Sequence, residues 1–378
     1  MTSDARVILY FVTEDWYFCS HRLQLAVRAK NEGHSVFVVT RVESHGSEIE
    51  AAGLTLFPIK LSRRSKNPFV ELMTVLRLIR ILRRVRPDII HNVALKPVLY
   101  GSFAARLCGN TAIVNAMAGL GFMFTSASPL ARMLRPVIAK LLKIVLSGPR
   151  TITILQNPDD ARVLCENEVV DPKRVRLIRG SGVDTSIYAY KPQLDGTPVV
   201  LLASRMLWDK GVGEFVEAAG ILKKEGVTAR FVLAGESDQE NPGSISSEQL
   251  REWDRDGDIE WWGKCNEMPK IFNQVHIVCL PTTYGEGVPK VLIEAASCGR
   301  PIVATDAPGC REIVVDGENG LLVPAKNMDA LVDAIRGLLE SSALRERMGL
   351  AGRERVKREF SIEKVAADTL NVYELIGR

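Results

Sequence analysis

The sequence predicts an α/β protein built from two doubly wound, parallel-sheet domains in tandem. Three observations carry this. Short apolar runs alternate with stretches of helical periodicity along almost the whole chain. The alternation breaks once, between residues 180 and 198, and then restarts. The 378 residues suffice for two domains of ordinary size, each with its own core.

In order, VILYFV (7–12) reads as a strand, followed by a loop over 13–17 and a helix over 20–31. SVFVVT (35–40) and TLFPI (55–59) are strands, and a long helix is expected over 68–85. DIIHNV (88–93), a helix near 98–107, AIVNAM (112–117), a helix near 129–147 and TITILQ (151–156) complete the first half. Strands spaced by helices imply parallel β-α-β units. Gly180, Gly182 and the proline-bearing stretch to Pro198 read as a hinge. The second half repeats the scheme with PVVLLAS (198–204), a helix over 212–225, RFVLAG (230–235), IEWWG (259–263) and VHIVCLP (275–281). A helix near 289–298, PIVAT (301–305) and helices near 327–338 and 342–358 follow. The expected domains are 1–183 and 184–360. A last helix over 361–378 opens on Ser361 without a capping-box partner at Lys364, and is a candidate to cross back onto the first domain.

Composition narrows the class. Apolar residues make up 46% and charged residues 25%, ordinary for a globular chain. The segment before the first strand lacks the pattern of a secretory leader, and no run of 18 apolar residues occurs. The seven cysteines are scattered without a C-x-x-C pair, and the five histidines lack metal-ligand spacing. The expectation is a cytoplasmic protein with reduced thiols and no metal or other cofactor. Charge is unevenly spread: residues 1–150 hold 21 Lys+Arg against 9 Asp+Glu, a net +12, and the rest hold 28 against 36, a net −8. Two domains with different partners are implied.

Ligands of open α/β sheets bind beyond the carboxyl ends of the strands, and a cleft between two such sheets is the default site. After PVVLLAS come Arg205 and Lys210, a guanidinium fork and a point charge suited to a diphosphate, or else two solvated loop cations. Gly211 and Gly213 lack the third glycine of a dinucleotide fingerprint, so a hydride-transferring dehydrogenase is disfavoured. After VHIVCLP comes TTYGEG and then EGVPKVLIE (286–294). Pro289 suits the first position of a helix, whose free amides would face an anion. Glu286, between Gly285 and Gly287, is placed to accept from sugar hydroxyls, or is a solvated loop acid. Glu294 lies eight residues on, about 12 Å by helical rise, and is either a second ligand or half of a structural ion pair.

These residues carry a resemblance. S-R-x-x-x-x-K-G, then E-G-x-P-x-x-L-x-E-A-x-x-C-G-x-P-I-V-A-T-D, then G-x-x-E-I-V-x-D-G-x-N-G-L-L-V-P (309–324) resemble the retaining glycosyltransferases of family 4, which have the GT-B fold. The resemblance implies that Arg205 and Lys210 bind the diphosphate of a nucleotide sugar, that Glu286 contacts the donor sugar, and that Glu294 holds the ribose. It makes Glu286, Arg205 and Lys210 the catalytic candidates. It adds Gly285, Gly287, Val288 and Pro289 to the donor site, and Gly263 and Lys264 to the base pocket. TEDWYFCSHR (13–22), DIIHNVALKPVLYG (88–101) and NAMAGLGFMF (115–124) are similar to bacterial enzymes that build lipid-linked saccharides, often from UDP-N-acetylhexosamines. Two departures stand out. The usual Gly-Gly after the first strand is replaced by Thr13-Glu-Asp-Trp-Tyr17, and a usual His is missing around Ala116–Gly119. Asp15, His21, His91, Lys96, Gly119 and Gly121 become the acceptor-side candidates, although His21 also fits a helix surface and His91 a satisfied strand end.

Residues 60–86 carry nine cations and one acid among many apolar residues, and 130–146 carry four cations and no acid. Basic helices with a wide apolar face read as membrane-surface helices, although every helix of a doubly wound domain also needs an apolar face for its own sheet. No reading motif accompanies the cations, so nucleic acid is not an expected partner. The resulting expectation is a metal-independent retaining glycosyltransferase, peripheral on the inner face of the cytoplasmic membrane. It would move a hexose or N-acetylhexosamine from a UDP-sugar to a saccharide on a polyprenyl diphosphate. The alternatives are a nucleotide-sugar epimerase of the same architecture and a non-catalytic sugar-nucleotide-binding scaffold.

Overall fold

The computed structural model describes residues 5–61, 67–119, 129–238 and 240–376. The chain forms two compact units, residues 1–182 with 362–378, and residues 183–361.

The first unit runs β1 (Val7–Glu14), α1 (Asp15–His21), α2 (Leu23–Asn31), β2 (Ser35–Arg41), α3 (Gly46–Ala51), β3 (Thr55–Pro58), α4 (Pro68–Val85) and β4 (Ile89–Val93). It continues with α5 (Leu95–Cys108), β5 (Ala112–Met117), α6 (Pro129–Leu146), β6 (Thr151–Leu155), α7 (Pro158–Glu166) and β7 (Val175–Leu177). The parallel strands lie in the order β3-β2-β1-β4-β5-β6-β7, so strand order reverses between β1 and β4. Residues 13–17, expected as a loop, are instead the end of β1 and the start of α1. Buried Asp15 explains the difference: Oδ1 accepts from its neighbour Trp16 N at 2.8 Å, while Oδ2 accepts from the amides of Glu43, Ser44 and His45 at 2.8, 2.9 and 2.7 Å. The carboxylate pins the helix start to the loop after β2.

Period-2 alternation divides the side chains of this sheet. Leu9, Phe11 and Ile90 pack against α4 and α5, while Ile8, Tyr10 and Val12 point to the opposite face with α2. That second face is also covered by the C-terminal helix, here numbered last, over Ile362–Ile376. Both faces are dry, which is why these strands read as unbroken apolar runs.

The second unit begins at β8 (Val199–Ala203), followed by α8 (Val212–Lys224), β9 (Arg230–Ala234), α9 (Ser247–Asp256), β10 (Glu260–Gly263), α10 (Met268–Phe272) and β11 (Ile277–Leu280). Then come α11 (Lys290–Ser297), β12 (Ile302–Thr305), α12 (Cys310–Ile313), β13 (Gly320–Val323), α13 (Met328–Glu340) and α14 (Ser342–Arg355). The helix over Ile362–Ile376 is α15. The order β10-β9-β8-β11-β12-β13, again all parallel, reverses between β8 and β11. Strands β7 and β13 are not legible in the sequence: β7 has three residues, and β13 opens on a glycine.

Candidate active site

The loop after β8 carries Arg205 and Lys210, and the loop after β11 carries Glu286. Because β8 and β11 are neighbours at the reversal of strand order, both loops leave the carboxyl edge at the place where open sheets form a crevice. Backbone contacts fasten the loops together. The Asp209 carbonyl accepts from Thr283 N at 2.9 Å and from Thr282 Oγ1 at 3.0 Å. Gly211 has φ +75° and lies so close that a Cβ there would meet the Pro281 carbonyl oxygen at 2.0 Å. Only glycine suits that backbone and that approach. Behind Glu286, its amide donates to the Pro308 carbonyl at 3.2 Å.

This framework brings Lys210 and Glu286 into an ion pair, with side chains only 12% and 14% exposed. Burial is the largest single influence and works against the Lys210 charge, but the charge and hydrogen bond of Glu286 together with Tyr284 outweigh it and hold the ammonium above the ordinary lysine range. The Lys210 ammonium also lies 5.6 Å from the centroid of the Tyr284 ring. Arg205 is half-exposed and pairs through Nη1 with Asp238 at 2.7 Å.

Two corrections concern the next helix. Pro289 was expected at its first position, but Pro289 is extended (φ −62°, ψ 117°) and caps a helix that starts at Lys290. The cap position requires non-helical ψ, and proline accepts it with its ring-fixed φ. Glu286 lies in the turn ahead of the helix, as its flanking glycines imply. The helical rise covers only Lys290 to Glu294, about 6 Å, so a 12 Å ruler along one helix does not describe the pair of glutamates. The helix still leaves its first amides without intrahelical acceptors beside Gly287 and Val288.

Glu294 is buried on α11. It pairs with Lys290 one turn earlier and accepts from the Tyr188 hydroxyl. Burial first and the Glu294 charge second push the Tyr188 phenol above its ordinary range. Lys290 also sits 5.6 Å from the Tyr188 ring centroid. At the carboxyl edge two strands away, Gly263 ends β10 with φ +63°, its carbonyl accepts from Gly235 N at 2.7 Å, and Lys264 lies 3.9 Å from Glu236. Sequence reasoning missed Asp238, Lys290 and Tyr188. Lys290 was findable from its i,i+4 spacing to Glu294; Tyr188 and Asp238 come from distant segments.

The acceptor-side candidates belong to the first unit and are dispersed. Asp15 spends its oxygens on the amides described above. His21 ends α1, half-buried, and stacks on Tyr17 with centroids 4.1 Å apart. Lys96, at the start of α5, pairs with Glu71 at 2.8 Å. His91 is buried in β4, and its Nδ1 lies 2.5 Å from the Tyr373 hydroxyl. Gly119 follows β5 with φ +88°, and Gly121 lies outside the described residues. Among the described residues no group of three or more His, Cys, Asp or Glu side chains is arranged to hold a metal ion.

Comparison with known proteins agrees with this geometry. Residues 7–157 match the model described as glycosyl transferase 4-like, and residues 197–341 match the one described as glycosyl transferases group 1. The chain is a glycosyltransferase of the family 4 type. A relative in this class is N,N'-diacetylbacillosaminyl-diphospho-undecaprenol alpha-1,3-N-acetylgalactosaminyltransferase of Campylobacter jejuni, 29% identical over 86% of this chain and 87% of that protein. The capsular polysaccharide biosynthesis glycosyltransferase CapM of Staphylococcus aureus is 22% identical over 88% of each. Among solved structures, a glycosyltransferase from Rickettsia africae superposes with a TM-score of 0.77 at 17% identity over 99% of both chains. HepE of Anabaena, solved in complex with UDP, gives 0.78 at 13% identity, covering 98% of this chain and 99% of that one. These likenesses place the glycosyltransferase in the GT-B fold.

Proposed function

We propose that this glycosyltransferase is a retaining, metal-independent enzyme that transfers a hexose or N-acetylhexosamine from a UDP-sugar to a saccharide carried on a polyprenyl diphosphate. The observation that carries the reading is the Lys210–Glu286 pair between two laced loops at the strand-order reversal of the second unit. When the glycosidic carbon–oxygen bond to the diphosphate breaks, negative charge grows on the leaving phosphate. Arg205, Lys210 and the free amides before α11 would stabilise that charge, the work a divalent cation does in other transferases. Glu286 would accept from hydroxyls of the donor sugar, and Glu294 from the ribose. The C. jejuni relative, named for a diphospho-undecaprenol acceptor, supports the acceptor class. Retention rests on the family resemblance.

The membrane side of the proposal rests on the first unit. Phe69, Leu72 and Met73 on α4 are 75%, 55% and 57% exposed, and Met133, Val137, Leu141 and Ile144 on α6 are exposed as well. Between these two helices packs α5, with Phe103 and Leu107 exposed. Arg77, Arg80, Arg83, Arg84, Lys140 and Lys143 are exposed on the same helices, and no Asp or Glu occurs between Asp88 and Asp159. Lys143 pairs with Glu168 at 3.2 Å, but cations still outnumber acids on these helices, and apolar side chains among an excess of cations suit an anionic bilayer at the inner face of the cytoplasmic membrane. Among the described residues no helix is long and apolar enough to cross it.

The test is transfer from a panel of UDP-sugars to a polyprenyl-diphosphate-linked acceptor, with chelator present and the product anomer read by NMR. Arg205→Ala with Lys210→Ala is expected to lower kcat/KM by about 10³-fold or more, the scale of losing charge stabilisation in a transition state. Near-normal turnover of that variant, dependence on a divalent cation, or an inverted anomer each removes the corresponding part of the proposal. Flotation with vesicles containing phosphatidylglycerol, but not with phosphatidylcholine alone, is the expected membrane result.

A further inference from the structure

At the strand-order reversal of the first unit, α1, α2, β4 and α15 enclose a group of polar side chains that the proposed reaction does not use. Arg22, between α1 and α2, is only 5% exposed, yet among the described residues its side chain forms no hydrogen bond or ion pair, and its buried Nε is unpartnered. His91 is 1% exposed, and its Nε2 is likewise unpartnered. Both line one small cavity together with Gln156, Gly180 and Thr369, where the space left for the centre of a water-sized atom is about 10 Å³. That is room for one oxygen atom. Unsatisfied buried groups at this density in a native fold point to a missing partner.

Counting protons shows what kind of partner. Tyr10 and Tyr373 hydroxyls lie 2.9 Å apart, and Tyr373 lies 2.5 Å from His91 Nδ1. If Tyr10 donates to Tyr373 and Tyr373 donates to Nδ1, every hydroxyl proton is used and only the Nε2–H is left over. If the chain runs the other way, the Tyr10 proton and the Nε2 lone pair are both stranded. The first arrangement leaves fewer orphans, so His91 presents an N–H to the cavity beside the Arg22 N–H. Burial first and the Arg22 charge second hold the imidazole neutral. Two donors, one of them cationic and without a carboxylate, select an acceptor-only, negatively charged oxygen.

We propose that Arg22 and His91 form a buried oxyanion site in the first unit, which takes one oxygen of a phosphate or diphosphate group, with Tyr373 of α15 setting the histidine tautomer. The residual exposure of Arg22 leaves the larger part of such an anion outside the cavity. The source is either the lipid-linked acceptor or the nucleotide sugar; this choice rests on the function proposed above, whereas the site itself does not.

The full chain carrying Arg205→Ala and Lys210→Ala isolates this site from the donor loops. Inorganic pyrophosphate, followed by calorimetry, is expected to bind this chain saturably, and Arg22→Met is expected to weaken that binding at least about tenfold, the worth of a charge-assisted hydrogen bond. Without ligand, Arg22→Met should leave Tm unchanged or raise it, because an uncompensated buried cation gives way to an apolar side chain of similar length. In the otherwise native chain, a raised KM for the lipid acceptor with unchanged UDP affinity assigns the site to the acceptor, and the reverse assigns it to the donor. Absence of saturable pyrophosphate binding, binding indifferent to Arg22→Met, or a Tm lowered by several degrees without ligand overturns the proposal: the cavity then holds water, or Arg22 is structural. A chain that transfers no sugar but keeps Arg22-dependent pyrophosphate binding would overturn the enzymatic reading and leave this site standing.

Discussion

Both units place a basic side chain where their strand order reverses, but they treat its charge in opposite ways. In the second unit Lys210 is neutralised by Glu286 before any ligand arrives. In the first unit Arg22 is buried, 5% exposed, and forms no ion pair among the described residues. A paired cation is stable on its own, and a ligand must displace its partner. An unpaired cation costs stability until a ligand supplies the anion. The comparison teaches that burial of a charge says little by itself; what matters is whether the fold or the ligand provides the opposite sign.

Breaking the pair in the second unit should give the largest effect. Glu286→Gln keeps the shape and removes the internal counterion of Lys210. UDP is then expected to bind about three- to tenfold tighter, since it no longer competes with a carboxylate. Sugar transfer should fall about 10²-fold, since Gln accepts more weakly from a sugar hydroxyl. Calorimetry with UDP and steady-state transfer read the two signs separately. Weaker UDP binding would mean that Glu286 positions Lys210 instead of competing for it.

Glu294→Gln sharpens the comparison from within the same unit. Glu294 is also paired before ligand binding, but with Lys290 and Tyr188 on its own side of the loop. If it holds a ribose, the variant should bind UDP about tenfold more weakly, and the preference for UDP over 2′-deoxy-UDP should shrink. An unchanged preference would leave Glu294 as a structural ion pair.

The same contrast explains what the sequence could disclose. The two members of the second-unit pair are legible, though not their pairing, because each sits in a short contiguous pattern, R-x-x-x-x-K-G and E-G-x-P, after an apolar strand. The alternation of strands and helices was equally plain, because parallel strands buried on both faces are apolar throughout. The Arg22 group joins residues 22, 91 and 373, and His91 and Tyr373 are 282 positions apart. No local pattern announces that contact; it depends on α15 returning to the first sheet. His91 could be singled out as a strand-end histidine, whereas Arg22 reads as an ordinary helix cation until its burial is seen. The helix start at Lys290 was misplaced by one residue because a proline suits both the cap and the first turn, and only ψ separates them.

The smallest effect comes from two of the buried histidines, His276 in the second unit and His91, which shares the first unit with buried His34. His276 has both ring nitrogens committed: Nδ1 accepts from Val199 N at 3.0 Å, and Nε2–H donates to the Leu194 carbonyl at 2.8 Å. His91 has one committed nitrogen and one directed at the cavity. Burial depresses both pKa values below the ordinary histidine range, with Arg22 adding to the effect at His91 and Arg345 and Arg300 at His276. A depressed histidine stays neutral when folded and becomes protonated when unfolded, so the unfolded chain binds more protons below about pH 6.5. Stability therefore rises with pH through that window and is lost on acidification, by up to about 1.4 kcal/mol per pH unit for each histidine. Thermal melts from pH 7.5 to 5.5 should show this slope, and His91→Gln should remove part of the first unit's share, with His34, also depressed by burial, keeping the rest. Pyrophosphate should flatten the slope in the native chain if an anion fills the cavity, because it offsets the charge that Arg22 imposes on the imidazole. Both His276 ring nitrogens are already spent on backbone groups, leaving none for an anion, so its share of the slope should persist with pyrophosphate present. If His91→Gln melts with the same pH dependence as the native chain, the imidazole is not the neutral donor that the oxyanion site requires.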